Sequence, residues 1–148
     1  MSRYIIREVD GSNGLYRMIL RDLHEELFGD SAPQIVPEEG YWWIAWFKGK
    51  PVGFAGLRLA ASTPGTGYLH RAGVEPFHRG HRLQVRFIRA REAKAKKLGL
   101  DRMVTDTTDN ERSANTLMRA GYRLFETQYK WAFSHSLYWE KSLRVHKP

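Results

Sequence analysis

The stretch Gly67–Gly99, GYLHRAGVEPFHRGHRLQVRFIRAREAKAKKLG, decides how the rest of the chain is read. Tyr68–Val74 has the length and composition of a strand, and Pro76 and Gly80 punctuate a short turn after it. From that turn to Leu98 the residues read as one helix. A strand that feeds a helix through an Arg/Gly turn aims backbone amides and a helix N-terminus at one spot, which suits an anion. His78, Arg79, His81 and Arg82 make the same spot electropositive through side chains. The pattern predicts a place for a phosphate-bearing cofactor. The bland alternative is a solvated helix start, although two arginines there oppose the helix dipole unless an anion is present.

Composition sets the bounds. At 148 residues, 42% hydrophobic and 27% charged, the chain is expected to form one domain over 1–148 that buries its own core. It has no cysteine, which excludes disulfides, thiolate metal sites and a Cys nucleophile. The opening residues MSRYIIREVDGSNG carry early charges and lack the apolar run of a leader or a span, so a soluble cytoplasmic protein is expected. The net charge of +8 implies attraction to polyanions: nucleic acid, an acidic protein or a phosphorylated cofactor. No membrane partner is expected.

Working outward, Tyr4–Val9 reads as a strand, and Leu15, Met18, Ile19, Leu23 and Leu27 recur at helical steps. Gly29–Gly40, with Pro33 and Pro37, reads as a loop or broken helix in a position that could cover a site. Tyr41–Phe47 and Pro51–Leu59 form a hairpin through Lys48-Gly49-Lys50, and Ala60–Gly67 is a loop of small residues. Arg102–Thr107 is a strand and Asn110–Ala120 a helix that stops at Gly121. Tyr122–Thr127 and Ser136–Lys141 are the last strands. The crossover from strand 68–74 to strand 102–107 is expected to be parallel.

Several of these residues carry a family resemblance. Val74-Glu75-Pro76 followed by Arg79-Gly80 resembles the V-x-P…R-G entry to the pyrophosphate loop of the GNAT superfamily of acyl-CoA-dependent N-acyltransferases. Phe87, Ile88 and Ala95 fall where that family's helix has apolar or small residues. Asp109-Asn110-x-x-Ser113 up to Ala120-Gly121-Tyr122 resembles its N-x-x-A/S…G-F helix. The resemblance implies a mixed α+β fold: a mixed, mostly antiparallel sheet of about seven strands with flanking helices. One pair, 68–74 and 102–107, is parallel and splayed. It also implies acetyl-CoA as cosubstrate, held by Ala72, Val74, Arg79, Gly80, His81, Arg82, Leu83, Gln84, Asn110 and Ser113. Two departures stand out. The family's loop reads R-x-x-G-x-G/A, and its two glycines fall on Arg82 and Gln84; the Tyr that serves as its general acid falls on Leu117.

The chemistry needs a base, because an amine with a pKa near 10 must lose a proton before it attacks a thioester. Tyr68 and His70 lie two apart on a strand, hence on one face, and Tyr-Leu-His resembles the His-x-His strand of arylalkylamine-type members. His70 is the expected base, with Tyr68 positioning water or acting as acid; the alternative is a histidine packed in the sheet. Asn110 either contacts the cofactor or substrate or caps its helix, and the two are compatible. Glu92, Lys94, Lys96 and Lys97 read as a solvated helix face. Trp42, Trp43 and Trp46 put large surfaces on both faces of one strand. Tyr129, Trp131, Tyr138 and Trp139 are candidates for an acceptor wall or a homodimer contact. His78-x-x-His81 has only Glu75 as a nearby carboxylate, so no metal is expected.

Two functions of different class follow. The first is transfer of an acetyl group from acetyl-CoA to a primary amine of a small molecule, peptide or protein, by direct attack in a ternary complex. The second is a GNAT-fold module with weakened catalysis that binds acyl-CoA, an acidic partner or RNA. Nucleic acid is the less favoured partner, since no motif of paired stacking aromatics accompanies the charge.

Overall fold

A computed structural model describes residues 3–144. Its elements are β1 (Tyr4–Val9), α1 (Gly14–Phe28), β2 (Tyr41–Phe47), β3 (Lys50–Leu59), β4 (Thr66–Val74), α2 (Leu83–Lys97), β5 (Arg102–Thr107), α3 (Glu111–Arg119), β6 (Arg123–Leu124) and β7 (Leu137–Ser142). The strands follow the order β1-β2-β3-β4-β5-β7-β6 in one mixed sheet of seven. The chain gathers into two compact units, one up to Arg58 with His70–Arg89, the other Leu59–Leu69 with the chain from Ala90 onward. β4 and α2 each run through both.

The first unit begins with antiparallel pairing of β1, β2 and β3. Lys48 and Gly49 both have positive φ, +49° and +78°, the backbone that a two-residue hairpin with the native twist requires. Asn13 caps α1, its side-chain oxygen accepting from the amides of Leu15 and Tyr16 at 3.0 and 3.3 Å. The helical spacing then turns Leu20 and Leu23 inward against Val9, Ile35, Trp42, Ile44 and Phe54, with Leu27 and Phe28 packed at the edge. Trp42 and Trp43 are both buried, so the apolar run of β2 serves packing on both faces.

His24 is buried in this unit, and Nη1 of Arg71 lies 2.8 Å from its Nε2. A guanidinium only donates, so Nε2 accepts and the ring is neutral with its proton on Nδ1. The same Nη1 donates to the carbonyl of Pro33 at 3.1 Å, which ties the 29–40 loop to β4.

In the second unit β4 pairs parallel with β5 over Thr66↔Arg102, Gly67↔Met103 and Tyr68↔Val104. The Thr105 hydroxyl then donates to the Leu69 carbonyl at 3.0 Å, a side-chain bond in place of a ladder bond. β7 pairs antiparallel with β5 along its whole length and with β6 over two residues. A buried ionic group closes this unit. Glu92 accepts from the Tyr122 hydroxyl at 2.8 Å and from Lys141 Nζ at 3.1 Å, and Lys141 also donates to the Ala120 carbonyl at 2.7 Å. Burial holds the adjacent Arg91 down to about 10, against the raising effect of Tyr122 and Glu92, and pushes the Tyr122 phenol above its usual range.

The parallel, splayed pair is as expected, with pairing over residues 66–68 and 102–104. Three expectations are corrected. β4 starts at Thr66 rather than Tyr68, because Thr66 and Gly67 find partners on β5. The strand expected over Tyr122–Thr127 is Arg123–Leu124 alone. Glu92 does not belong to a solvated face: it is 8% exposed, while Lys96 and Lys97 on the same helix are exposed.

The buried histidine gives a pH test. Its folded pKa lies below its ordinary value of 6.5, chiefly through burial and then through Arg71. The unfolded chain therefore binds the extra proton first, and the stability due to neutral His24 is present above about pH 6.5 and is lost as pH falls through the folded value. Thermal melts from pH 7.5 down to 5 are expected to show a decline that His24→Gln, which keeps an acceptor for Arg71, flattens.

Candidate functional site

Past Val74 the first unit makes a short 3-10 turn over Pro76–His78, and the chain then reverses its backbone twice. Gly80 has φ +85° and Arg82 has φ +61°. A Cβ on Gly80 would meet nothing within 4 Å, so the glycine is there for its backbone angle and not for room. For Arg82 the left-handed region costs about 1–2 kcal/mol, and strain of this kind is concentrated at ligand clamps. Arg82 thus keeps the backbone of the glycine it replaces. Its carbonyl takes the first helical bond, from the Arg86 amide at 3.1 Å, so α2 opens with the amides of Leu83, Gln84 and Val85 beyond the reach of intrahelical acceptors. No acidic side chain stands in that first turn.

The side chains of the loop divide into anchors and exposed cations. Leu83 is buried, which leaves only its amide for a ligand. Arg79 Nε donates to the Val74 carbonyl at 3.2 Å and fixes the guanidinium at the loop's entry. Arg79, Gly80, His81 and Arg82 are exposed and Gln84 is half-buried. Tyr4, which carries no local signal in the sequence, supports the loop from β1. Its hydroxyl meets His78 Nδ1 at 3.0 Å, its ring centroid lies 5.0 Å from that of His81, and its carbonyl accepts from Arg86 Nη2 at 3.2 Å. Glu75 precedes the loop with its carboxyl raised above the ordinary range, first by burial and then by the neighbouring Glu26 carboxyl, with Lys50 opposing.

His70 is half-buried on β4, its ring edge-on to Trp42 with centroids 5.6 Å apart. Ala72 is half-buried and Val74 buried on the same strand. In the second unit Tyr68 donates its hydroxyl proton to Asp106 Oδ1 at 2.6 Å, and the Trp131 indole N–H donates to the same oxygen at 2.9 Å. Asp106 carries no local signal in the sequence, because its partners Tyr68 and Trp131 lie 38 and 25 residues away. Asn110 caps α3, its side-chain oxygen accepting from the Ser113 amide at 3.0 Å, so the capping role is real whatever else its NH2 contacts. Leu117 is buried, and its carbonyl accepts from the amides of Ala120 and Tyr122. The position of the family's helix tyrosine is therefore part of the core.

Comparison with known proteins bears on the family and the fold. The profile of the acetyltransferase (GNAT) family matches residues 12–122. No curated protein matches the chain. Among solved structures, an IAA acetyltransferase from Bacillus cereus superposes with a TM-score of 0.75 at 14% identity, over 94% of this chain and 99% of its own. The ribosomal-protein-S18-alanine N-acetyltransferase of Escherichia coli gives 0.73 at 9% identity, over 97% and 96%. A Bacillus subtilis acetyltransferase in complex with CoA gives 0.71 at 18% identity, over 94% and 98%. At these identities the likeness is one of fold. With the family profile covering three quarters of its length, the chain belongs to the acetyltransferase (GNAT) family.

Proposed function

We propose that the protein transfers an acetyl group from acetyl-CoA to a primary amine by direct attack within a ternary complex. The observation that carries this reading is the left-handed Gly80 and Arg82 at the acid-free opening of α2. That backbone suits a pyrophosphate. Amides of residues 80–84 supply neutral donors, and Arg79, His81 and Arg82 supply charge-assisted ones. Ala72 and Val74 would line the cofactor from β4.

When bound, acetyl-CoA supplies an acyl group already activated as a thioester. The residues of this chain then have two tasks. His70, backed by Trp42, takes the proton that the attacking amine must lose, directly or through a water. Tyr68, held by Asp106, orients the nucleophile or the water. The amine nitrogen would form the new amide bond to the acyl carbon as the C–S bond breaks, the electron pair leaving on sulfur as a thiolate that takes back a proton from His70 or from Tyr68 as acid. A second reading, an acyl-CoA-binding module with little turnover, is favoured by the burial of Leu117. A thiol-release assay over a panel of amines separates the two: calorimetric binding of acetyl-CoA without thiol release from any amine selects the module.

His70→Ala is expected to lower kcat by about 100-fold or more while the Kd for acetyl-CoA stays within about twofold, and to flatten the rise of kcat between pH 6 and 8. Equal rates for variant and wild type across that range would remove His70 as base. Arg82→Gly separates fold from ligand. Relief of the left-handed strain is expected to stabilise the free protein by about 1 kcal/mol, read as a higher Tm. Loss of the guanidinium is expected to weaken acetyl-CoA binding several-fold by calorimetry. Tighter binding in that variant would mean that Arg82 obstructs the loop.

A further inference from the structure

Within the second unit, Asp106 is half-buried and differs from four acids that have a basic partner, whereas Glu111 and Glu126 are exposed. Asp101 is paired with Arg144 at 2.8 Å, Glu140 with Arg102 at 3.0 Å, Glu92 with Lys141 at 3.1 Å and Asp109 with His135 at 3.1 Å. Asp106 has two partners, and both are neutral: the Tyr68 phenol and the Trp131 indole. Both donate to Oδ1. Among the described residues Oδ2 accepts no hydrogen bond, and no basic side chain lies within 4 Å of the carboxylate. In a chain of net charge +8, a half-buried carboxylate that is oriented but left without a cation is unusual. Neutral donors fix its geometry and leave most of its charge to act on something else.

The surroundings favour a cation. The Trp131 ring packs edge-on against Tyr68 and Tyr138, with centroids 6.3 and 4.6 Å apart, and lies 6.5 Å from Phe125. The N–H edge of Trp131 and the O–H edge of Tyr68 both point at Oδ1, so the two rings flank the carboxylate without occupying Oδ2. Phe125 and Tyr138 also line a hollow of about 380 Å³ together with Glu126, Thr127 and Lys130, within the size range of small-molecule pockets. The position is also apt. Tyr68↔Val104 is the last parallel pair of β4 with β5, and Asp106 lies two residues beyond it on β5.

Given the acetyl-transfer reading above, on which this step rests, we propose that Asp106 Oδ2 is the recognition point for the acceptor. It takes the acceptor as an alkylammonium, with the rings of Trp131 and Tyr68 beside it. An aliphatic amine is a cation at neutral pH, since its ordinary pKa is near 10; an arylamine is not. The acceptor class is therefore aliphatic amines that arrive charged, and arylamines bind without help from this carboxylate.

The test uses the whole protein and two probes, butylammonium and tetramethylammonium, the second of which cannot be acetylated. Asp106→Asn keeps an oxygen for both donors and removes the charge. It is expected to weaken calorimetric binding of both probes by about tenfold or more, with the Kd for acetyl-CoA unchanged. The KM for butylamine rises by the same factor while the KM for aniline stays within about twofold; kcat, which Asp106 also reaches through Tyr68, changes alike for the two amines. Trp131→Phe, which retains the ring and the charge, is expected to lose no more than about threefold. The wild type alone also decides, should the first variant not fold: it must bind butylammonium more tightly than butanol. Equal binding of those two, or equal affinity of wild type and Asp106→Asn for tetramethylammonium, overturns the proposal. Cation binding that depends on Asp106, with no thiol released from any amine, supports the cation site and removes the acetyl-transfer reading instead.

Discussion

The parallel ladder between β4 and β5 is three pairs long, and the rest of the site depends on its ending there. Parallel strands need a crossover, and α2 with the loop before it is that crossover. The ladder holds the start of β4 in register through Thr66, Gly67 and Tyr68. After that, the Thr105 hydroxyl takes the Leu69 carbonyl, which satisfies a backbone acceptor without prolonging the pairing. β4 therefore continues to Val74 past the point where β5 has stopped holding it, and hands the chain directly to the strained loop.

Strain and burial are distributed accordingly. The loop accepts an unfavourable backbone at Arg82, and its support comes from well-fixed neighbours: Arg79 tied to the Val74 carbonyl, Tyr4 beneath His78 and His81, and Leu83 sunk into the core. The buried Glu92 group behaves differently. Tyr122 and Lys141 donate to its two oxygens and Lys141 is itself held by the Ala120 carbonyl, so the second half of α2 is held by polar bonds that tolerate little substitution. One helix thus has a strained, cationic opening and a fully satisfied ionic middle.

The sequence disclosed most of the elements because their signals are local. Asn13 before a 3.6-residue apolar period, Lys48-Gly49 between two apolar runs, and Asn110 before α3 each mark a boundary with a physical mechanism. What it hid depends on partners far along the chain. Thr66 and Gly67 belong to β4 only because β5 pairs with them. β6 shrinks to two residues because only Arg123 and Leu124 find β7. For the site, the loop and the Tyr68/His70 strand were legible, whereas Tyr4 and Asp106 were not, since their meaning comes from side chains that reach them from 74 and 38 residues away. Arg82 was legible as a departure; that an arginine would keep a glycine's backbone was not.

Of the five tryptophans, Trp42, Trp43 and Trp139 are buried and Trp46 is half-buried, which leaves Trp131 as the one in the exposed class. Collisional quenchers such as iodide or acrylamide reach an indole only from water. The quenchable part of this protein's fluorescence therefore arises largely from the ring that donates to Asp106, and the chain carries its own optical reporter at that carboxylate.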